Sequence, residues 1–171
     1  MTVERDLEKQ IRHSSNTDFL TGLYNRRCFY QYIHNNRGGR TVSLMYIDLD
    51  RFKEVNDTYG HKVGDAVLVH TADVLRRLFR DDFVARLGGD EFLVVRLGKC
   101  SMDQMEQEAE AFLKEMRTAF LAAEQTVSLS ASVGIAQSSD SMVDIDALLQ
   151  RSDQALYQAK KAGRSRYCVY R

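Results

Sequence analysis

The sequence predicts one α/β domain (α+β type) built on a mixed sheet, and three observations carry that prediction. The run "TVSLMYIDL" at 41–49 is nearly continuously apolar and β-prone, the pattern of a central strand covered on both faces. Amphipathic helical spacings flank it, as an alternation of strands and helices requires. Between them, the stretch around "RLGGDEF" reads as two short strands joined at a tight turn. One hairpin inside an alternating pattern makes the sheet mixed rather than purely parallel.

The chain has 171 residues, 44% of them hydrophobic and 28% charged, the balance of one soluble globular domain with a real core. Lys plus Arg and Asp plus Glu are each 24, and this zero net charge argues against a nucleic-acid or other generic polyanion partner. No apolar run approaches the ~20 residues that span a bilayer, so direct membrane contact is not expected. The start, "MTVERDLEKQIRHSS", lacks the apolar core of a secretory leader. Cys28, Cys100 and Cys168 have no CxxC spacing and read as free thiols of a reducing cytoplasm.

Taken in order, residues 1–16 form a helical stub whose Val3, Leu7 and Ile11 are four apart. That stripe is too thin to bury alone and suits a connector that pairs with a second copy or an upstream module. The domain proper is expected over 17–171. "TDFLTGLYNRR" is a loop leading into a helix through about Asn36, which "NRGG" ends. After the central strand, "DRFKEVNDTYGHKVGD" gives a short helical turn and a Gly-punctuated loop. A longer helix from Ala66 then carries Leu68, Ala72, Leu75 and Phe79. Beyond the hairpin, Met105, Ala109, Phe112, Met116 and Phe120 mark another amphipathic helix, and "TVSLSASVGIA" (126–136) alternates as a strand should. Ile145, Leu149, Ser152, Leu156 and Ala159 line the last helix, and "GRSRYCVYR" supplies a final strand.

The chemistry concentrates in carboxylates. Asp48 ends the central strand, where α/β sheets tend to place ligand sites. Asp90 and Glu91 sit at the hairpin tip, expected beside it, and adjacent like charges there call for a cation. Carboxylates without Cys or His suit Mg²⁺ or Mn²⁺ and not Zn²⁺. Mg²⁺ usually completes its shell with water and phosphate oxygens, which points to a nucleoside triphosphate. Gly88 and Gly89 would let a bulky substrate approach the backbone, although two glycines can equally serve only as a turn. Lys53 and the amides of its loop could hold phosphates. So could Lys160 and Arg164, four apart at the end of the last helix, where cations also simply complement the dipole. Asn56 and Asp65 could read a guanine edge, since a carboxylate can accept from N1 and N2 together; both residues also favour turns and caps. Spacing alone does not choose. GxxxxGK[ST] fails at "LVVRLGKC", and no GxGxxG occurs, so a P-loop enzyme and a dinucleotide dehydrogenase are disfavoured.

"DFLTGLYNRR", "DLDRFKEVNDTYGHKVGDAVL", "RLGGDEF", "SVGIA" and "DQALYQAKKAGRSR" occur in that order from residue 18 to about 167. Together they resemble the GGDEF domain, the diguanylate cyclase family, with Phe19 where proline is frequent. The resemblance implies a palm like that of nucleotidyl cyclases and some polymerases, a mixed sheet of about five strands surrounded by helices with GGDEF on a hairpin turn. It implies condensation of two GTP to cyclic di-GMP with release of two pyrophosphates. By motif, Asp48 and Asp90, with the Leu49 carbonyl, would ligate two Mg²⁺ (or Mn²⁺) ions. Glu91 would assist them or accept the proton of the attacking 3′-hydroxyl. Asn56 and Asp65 would read guanine, and Lys53, Lys160 and Arg164 would hold phosphates with amides near Arg51 and Phe52. One GTP per domain implies a homodimer, and 171 residues with a helical stub suit an output domain whose sensory domain lies upstream. One departure stands out. Asp82 occupies the Asp of the family's inhibitory RxxD product site, but Phe79 replaces its Arg, so that site is expected to be absent. A GTP-binding sensor without turnover, and an interaction module with a vestigial site, are the competing readings.

Overall fold

Val42–Leu49 forms β1, buried at every position, and the rest of the fold is arranged around it. The computed structural model describes residues 16–138 and 143–171. In chain order these fold as α1 (Arg26–Asn36), β1, α2 (Phe52–Tyr59), α3 (His61–Leu78), β2 (Phe83–Gly88), β3 (Glu91–Leu97) and α4 (Met102–Arg117). Then follow β4 (Phe120–Ala122), β5 (Gln125–Val127), β6 (Ala131–Gln137), α5 (Ile145–Lys161) and β7 (Tyr167–Val169). The main sheet has five strands in the order β2-β3-β1-β6-β7. Its pairs are antiparallel except β6 with β7, so the sheet is mixed, as expected.

The apolar run of β1 is continuous because each face meets its own core. Met45, Ile47 and Leu49 pack with residues of α2, α3 and α4, among them Val55, Leu75 and Phe112. Val42, Leu44 and Tyr46 pack with Phe29 and Ile33 of α1 and Leu148 and Leu156 of α5. Side chains two apart on a strand share a face, so Asp48 lies on the α1–α5 side. Helix starts are set locally: Asn25 Oδ1 accepts from Cys28 N at 2.9 Å, and Ser101 Oγ accepts from Gln104 N at 3.1 Å.

Several boundaries differ from expectation. The segment 61–65 is not a loop: α3 begins at His61, because Gly60, at φ 89°, breaks the chain between two abutting helices. Asp65 therefore lies within α3 and caps nothing. The run 126–136 is two strands, and β6 is buried from Ala131 to Ala136 rather than alternating, since both its faces are covered. Phe120 belongs to β4, as α4 stops at Arg117. The β4–β5 hairpin was not foreseen. Its turn places Ala123 and Glu124 at φ 47° and 70°, a conformation usually announced by Asn or Gly. On α5, Leu148 and Ala155 join Ser152, Leu156 and Ala159 in burial, while Ile145 and Leu149 are only partly covered. The Val3–Leu7–Ile11 stripe lies outside the described residues. Among those described, no helix is long and apolar enough to cross a membrane.

Candidate active site at the end of the central strand

The antiparallel register of β1 and β3 sets Asp48 opposite Glu91, and the Leu49 amide donates to the Asp90 carbonyl at 3.3 Å. Asp48 is only 8% exposed. Its Oδ2 accepts from the Lys160 ammonium of α5, while its Oδ1 is buried without a hydrogen-bond partner among the described residues. Burial, then the neighbouring Asp48 carboxylate, pushes the Asp90 carboxyl up to about 7, against the pull of Lys160. Glu91 is differently disposed: its Oε2 accepts from the Tyr46 hydroxyl at 3.1 Å. Burial and Glu91 push the Tyr46 phenol well up, so it stays a donor.

A strained carboxylate pair with one orphaned buried oxygen suits a hard divalent cation bound through few protein ligands. Among the described residues, no three of His, Cys, Asp and Glu converge into a complete ligand set. Asp48 and Asp90 come together, and Glu91 stands beside them.

The turn that delivers Asp90 is braced from outside. Gly88 and Gly89 take φ 146° and 51°, which L side chains rarely adopt, and a Cβ on either would meet nothing within 4 Å. Arg86 donates to the Gly89 carbonyl at 2.9 and 2.7 Å and to both Asp18 oxygens at 3.0 and 3.1 Å. Asp18 and Arg86 were missed as site residues, although both lie inside the quoted motifs.

At the start of α2, Arg51 is left-handed (φ 57°, ψ 36°) and no side chain caps the helix. The amides of Phe52 and Lys53 thus have no side-chain acceptor, and the Lys53 side chain is exposed. Asn56, further along α2, packs against Gly64 of α3: a Cβ there would stand 1.8 Å from Asn56 Oδ1. Gly64 therefore holds the two helices close and sets Asn56 beside the residue preceding Asp65, which is exposed.

Asp50, also missed, ties these parts together. It is 6% exposed and accepts from Ser132 Oγ at 2.6 Å, Ser130 Oγ at 2.5 Å and the Ser165 amide at 3.0 Å. The last bond anchors the turn in which Arg164 and Ser165 are left-handed (φ 63° and 51°). Arg164 and Arg51 then line one cleft of about 500 Å³ with Asp50, Tyr59 and Ser130. The signal was the second carboxylate of "DLD", followed far downstream by paired serines.

At the position of the RxxD motif, Phe79 is 2% exposed, and Asp82 is held by Arg96 through bonds of 2.8 and 2.6 Å. Arg76 is engaged with Thr21 and Asp73, and Arg77 with Glu115. Arg80, next to Phe79, is exposed and lines clefts on this side together with Asp82.

Comparison with known proteins shows the family and the fold that the chain resembles. The family model described as "Diguanylate cyclase, GGDEF domain" matches residues 15–166. The chain is 38% identical over 174 residues to "Cyclic di-GMP phosphodiesterase PdeR" of Escherichia coli, covering 99% of this chain and 26% of that protein. It is 37% identical to "Diguanylate cyclase DosC" of E. coli over 97% of this chain and 38% of that protein. It thus spans well under half the length of these relatives. The coiled coil and GGDEF domain of DgcB from Caulobacter crescentus, solved with c-di-GMP, superposes with a TM-score of 0.87 at 29% identity, covering 98% of this chain and 93% of that one.

Proposed function

The chain belongs to the diguanylate cyclase GGDEF-domain family, and we propose that it condenses two GTP molecules into cyclic di-GMP and two pyrophosphates. The observation that supports this reading most is the Asp48–Asp90 pair at the strand end, with its orphaned oxygen and Lys160 alongside. Asp48 and Asp90, with the Leu49 carbonyl, would hold two Mg²⁺ or Mn²⁺ ions, which neutralise triphosphate charge and acidify the attacking hydroxyl.

The chain's own residues do the remainder. Asn56 and Asp65 bind guanine from α2 and α3. The Phe52 and Lys53 amides, next to Arg51, and the Lys53, Lys160 and Arg164 side chains bind the triphosphate, while Gly88 and Gly89 let it approach the hairpin. Glu91 would help to hold those ions or accept the proton of the 3′-hydroxyl. The 3′-oxygen bonds to the α-phosphorus of the second GTP, and the bond from that phosphorus to the β-phosphate bridge breaks, releasing pyrophosphate. The reciprocal step closes the ring. Each domain holds one GTP, so the reaction needs two domains facing each other, and positioning supplies much of the acceleration.

The test is incubation with GTP and Mg²⁺, with products identified by mass and Asp90→Ala run in parallel. The reading predicts two pyrophosphates per cyclic di-GMP in the parent and none in the variant. GTP binding without pyrophosphate release would support instead a regulatory GTP-binding domain, a reading favoured by the similarity to a protein named as a phosphodiesterase.

A further inference from the structure

We propose that Tyr46 is the positioning residue for Glu91, fixing its carboxylate for the reaction; the inference rests on the cyclase reading above. Tyr46 and Asp48 are two apart on β1 and share a face. In the β1–β3 register Tyr46 pairs with Leu93 and Asp48 with Glu91, so Glu91 is the diagonal neighbour of Tyr46. A diagonal cross-strand neighbour is within reach of a long aromatic side chain, and the hydroxyl donates to Glu91 Oε2 at 3.1 Å.

The ring itself has no freedom. Tyr46 is 9% exposed and packs in the core shared by α1 and α5, with Leu44, Leu93 and Leu156. Two χ angles locked by packing therefore aim one polar atom at one carboxylate oxygen. The donor is neutral. A Lys or Arg at this point would orient Glu91 but also neutralise it, whereas a phenol orients it and leaves its charge available to a proton or a cation. The two sides of the site are thus handled by different donors: Lys160 on Asp48 and Tyr46 on Glu91.

The test compares Tyr46→Phe, Glu91→Gln and the double variant with the parent chain, at a protein concentration where the parent's specific rate has saturated. Tyr46→Phe removes one oxygen and leaves the packing in place. It should lower kcat roughly tenfold to a hundredfold, in the range of lost orienting partners, with KM for GTP and the melting temperature nearly unchanged. A role exerted through Glu91 makes the effects non-additive: adding Tyr46→Phe to Glu91→Gln should cost no more than about twofold. Where Glu91→Gln turns over too slowly to follow, the same cycle is read on Mn²⁺ affinity with 3′-deoxy-GTP, which lacks the attacking hydroxyl, and non-additivity is again expected. A Tyr46→Phe enzyme with parental kcat overturns the proposal, as does a loss that is equally large with and without Glu91. A parent chain that neither turns over nor binds GTP overturns the cyclase reading first, and this inference with it.

Discussion

Asp90 is the residue whose chemistry is most visible without a substrate. Its folded-state pKa, near 7, lies above the ordinary carboxyl value of 3.8. A group shifted upward stabilises the fold below its unfolded pKa, and that contribution is lost as pH rises through the folded one. The chelated protein should therefore lose stability between about pH 4 and pH 7 relative to Asp90→Asn, which mimics the protonated acid at every pH. Melting temperatures across that range would show the two proteins alike at the acid end and the variant more stable at pH 7. The same variant should lose turnover by roughly a thousandfold or more, the trade-off expected of a strained site. Asp48, Asp90 and Glu91 were legible in the sequence because carboxylates between apolar runs are conspicuous. Asp50, Arg86 and Tyr46 were not, because their partners are set by the fold: Ser165 lies 115 positions from Asp50, and Tyr46 meets Glu91 across a strand pair.

At the scale of elements, two glycines separate site from scaffold. Gly64→Ala would drive its Cβ into the Asn56 amide, 1.8 Å away, the movable end of a side chain. Helix propensity favours alanine by about 1 kcal/mol, so the fold should hold while Asn56 is displaced. KM for GTP should rise about tenfold with little change in melting temperature, measured side by side, if Asn56 reads the base. Gly134→Ala meets backbone instead: Ser152 O at 2.1 Å and Leu156 N at 2.3 Å, where β6 presses on α5. Thermal or urea unfolding should show a loss of about 3 kcal/mol or more, since a helix axis cannot yield as a side chain can. The sequence made β1, the hairpin and the long helices legible through their apolar periodicity. It concealed the start of α3, because Gly60 breaks the chain without a loop, and it concealed β4–β5, whose left-handed turn is made by Ala123 and Glu124.

For the whole molecule, the account requires two copies. On the proposed reading, the Asp48–Asp90 pair, Asn56 and Asp65 for guanine, and the phosphate-binding cations would serve a single GTP, so each 3′-hydroxyl would have to find the α-phosphate of a second domain. The product should not shut the enzyme down through the RxxD position, where Phe79 is buried and Asp82 is spent on Arg96. Added cyclic di-GMP should leave the initial rate unchanged; tight binding that Asp82→Ala abolishes would contradict this.

The most direct test of the central claim is the rate of cyclic di-GMP formation per mole of protein, measured over a wide range of protein concentration with GTP and Mg²⁺. A specific rate that rises with concentration, saturates and vanishes in Asp90→Ala is the predicted result. A specific rate independent of concentration, or GTP bound at every concentration with no cyclic di-GMP formed, would contradict it.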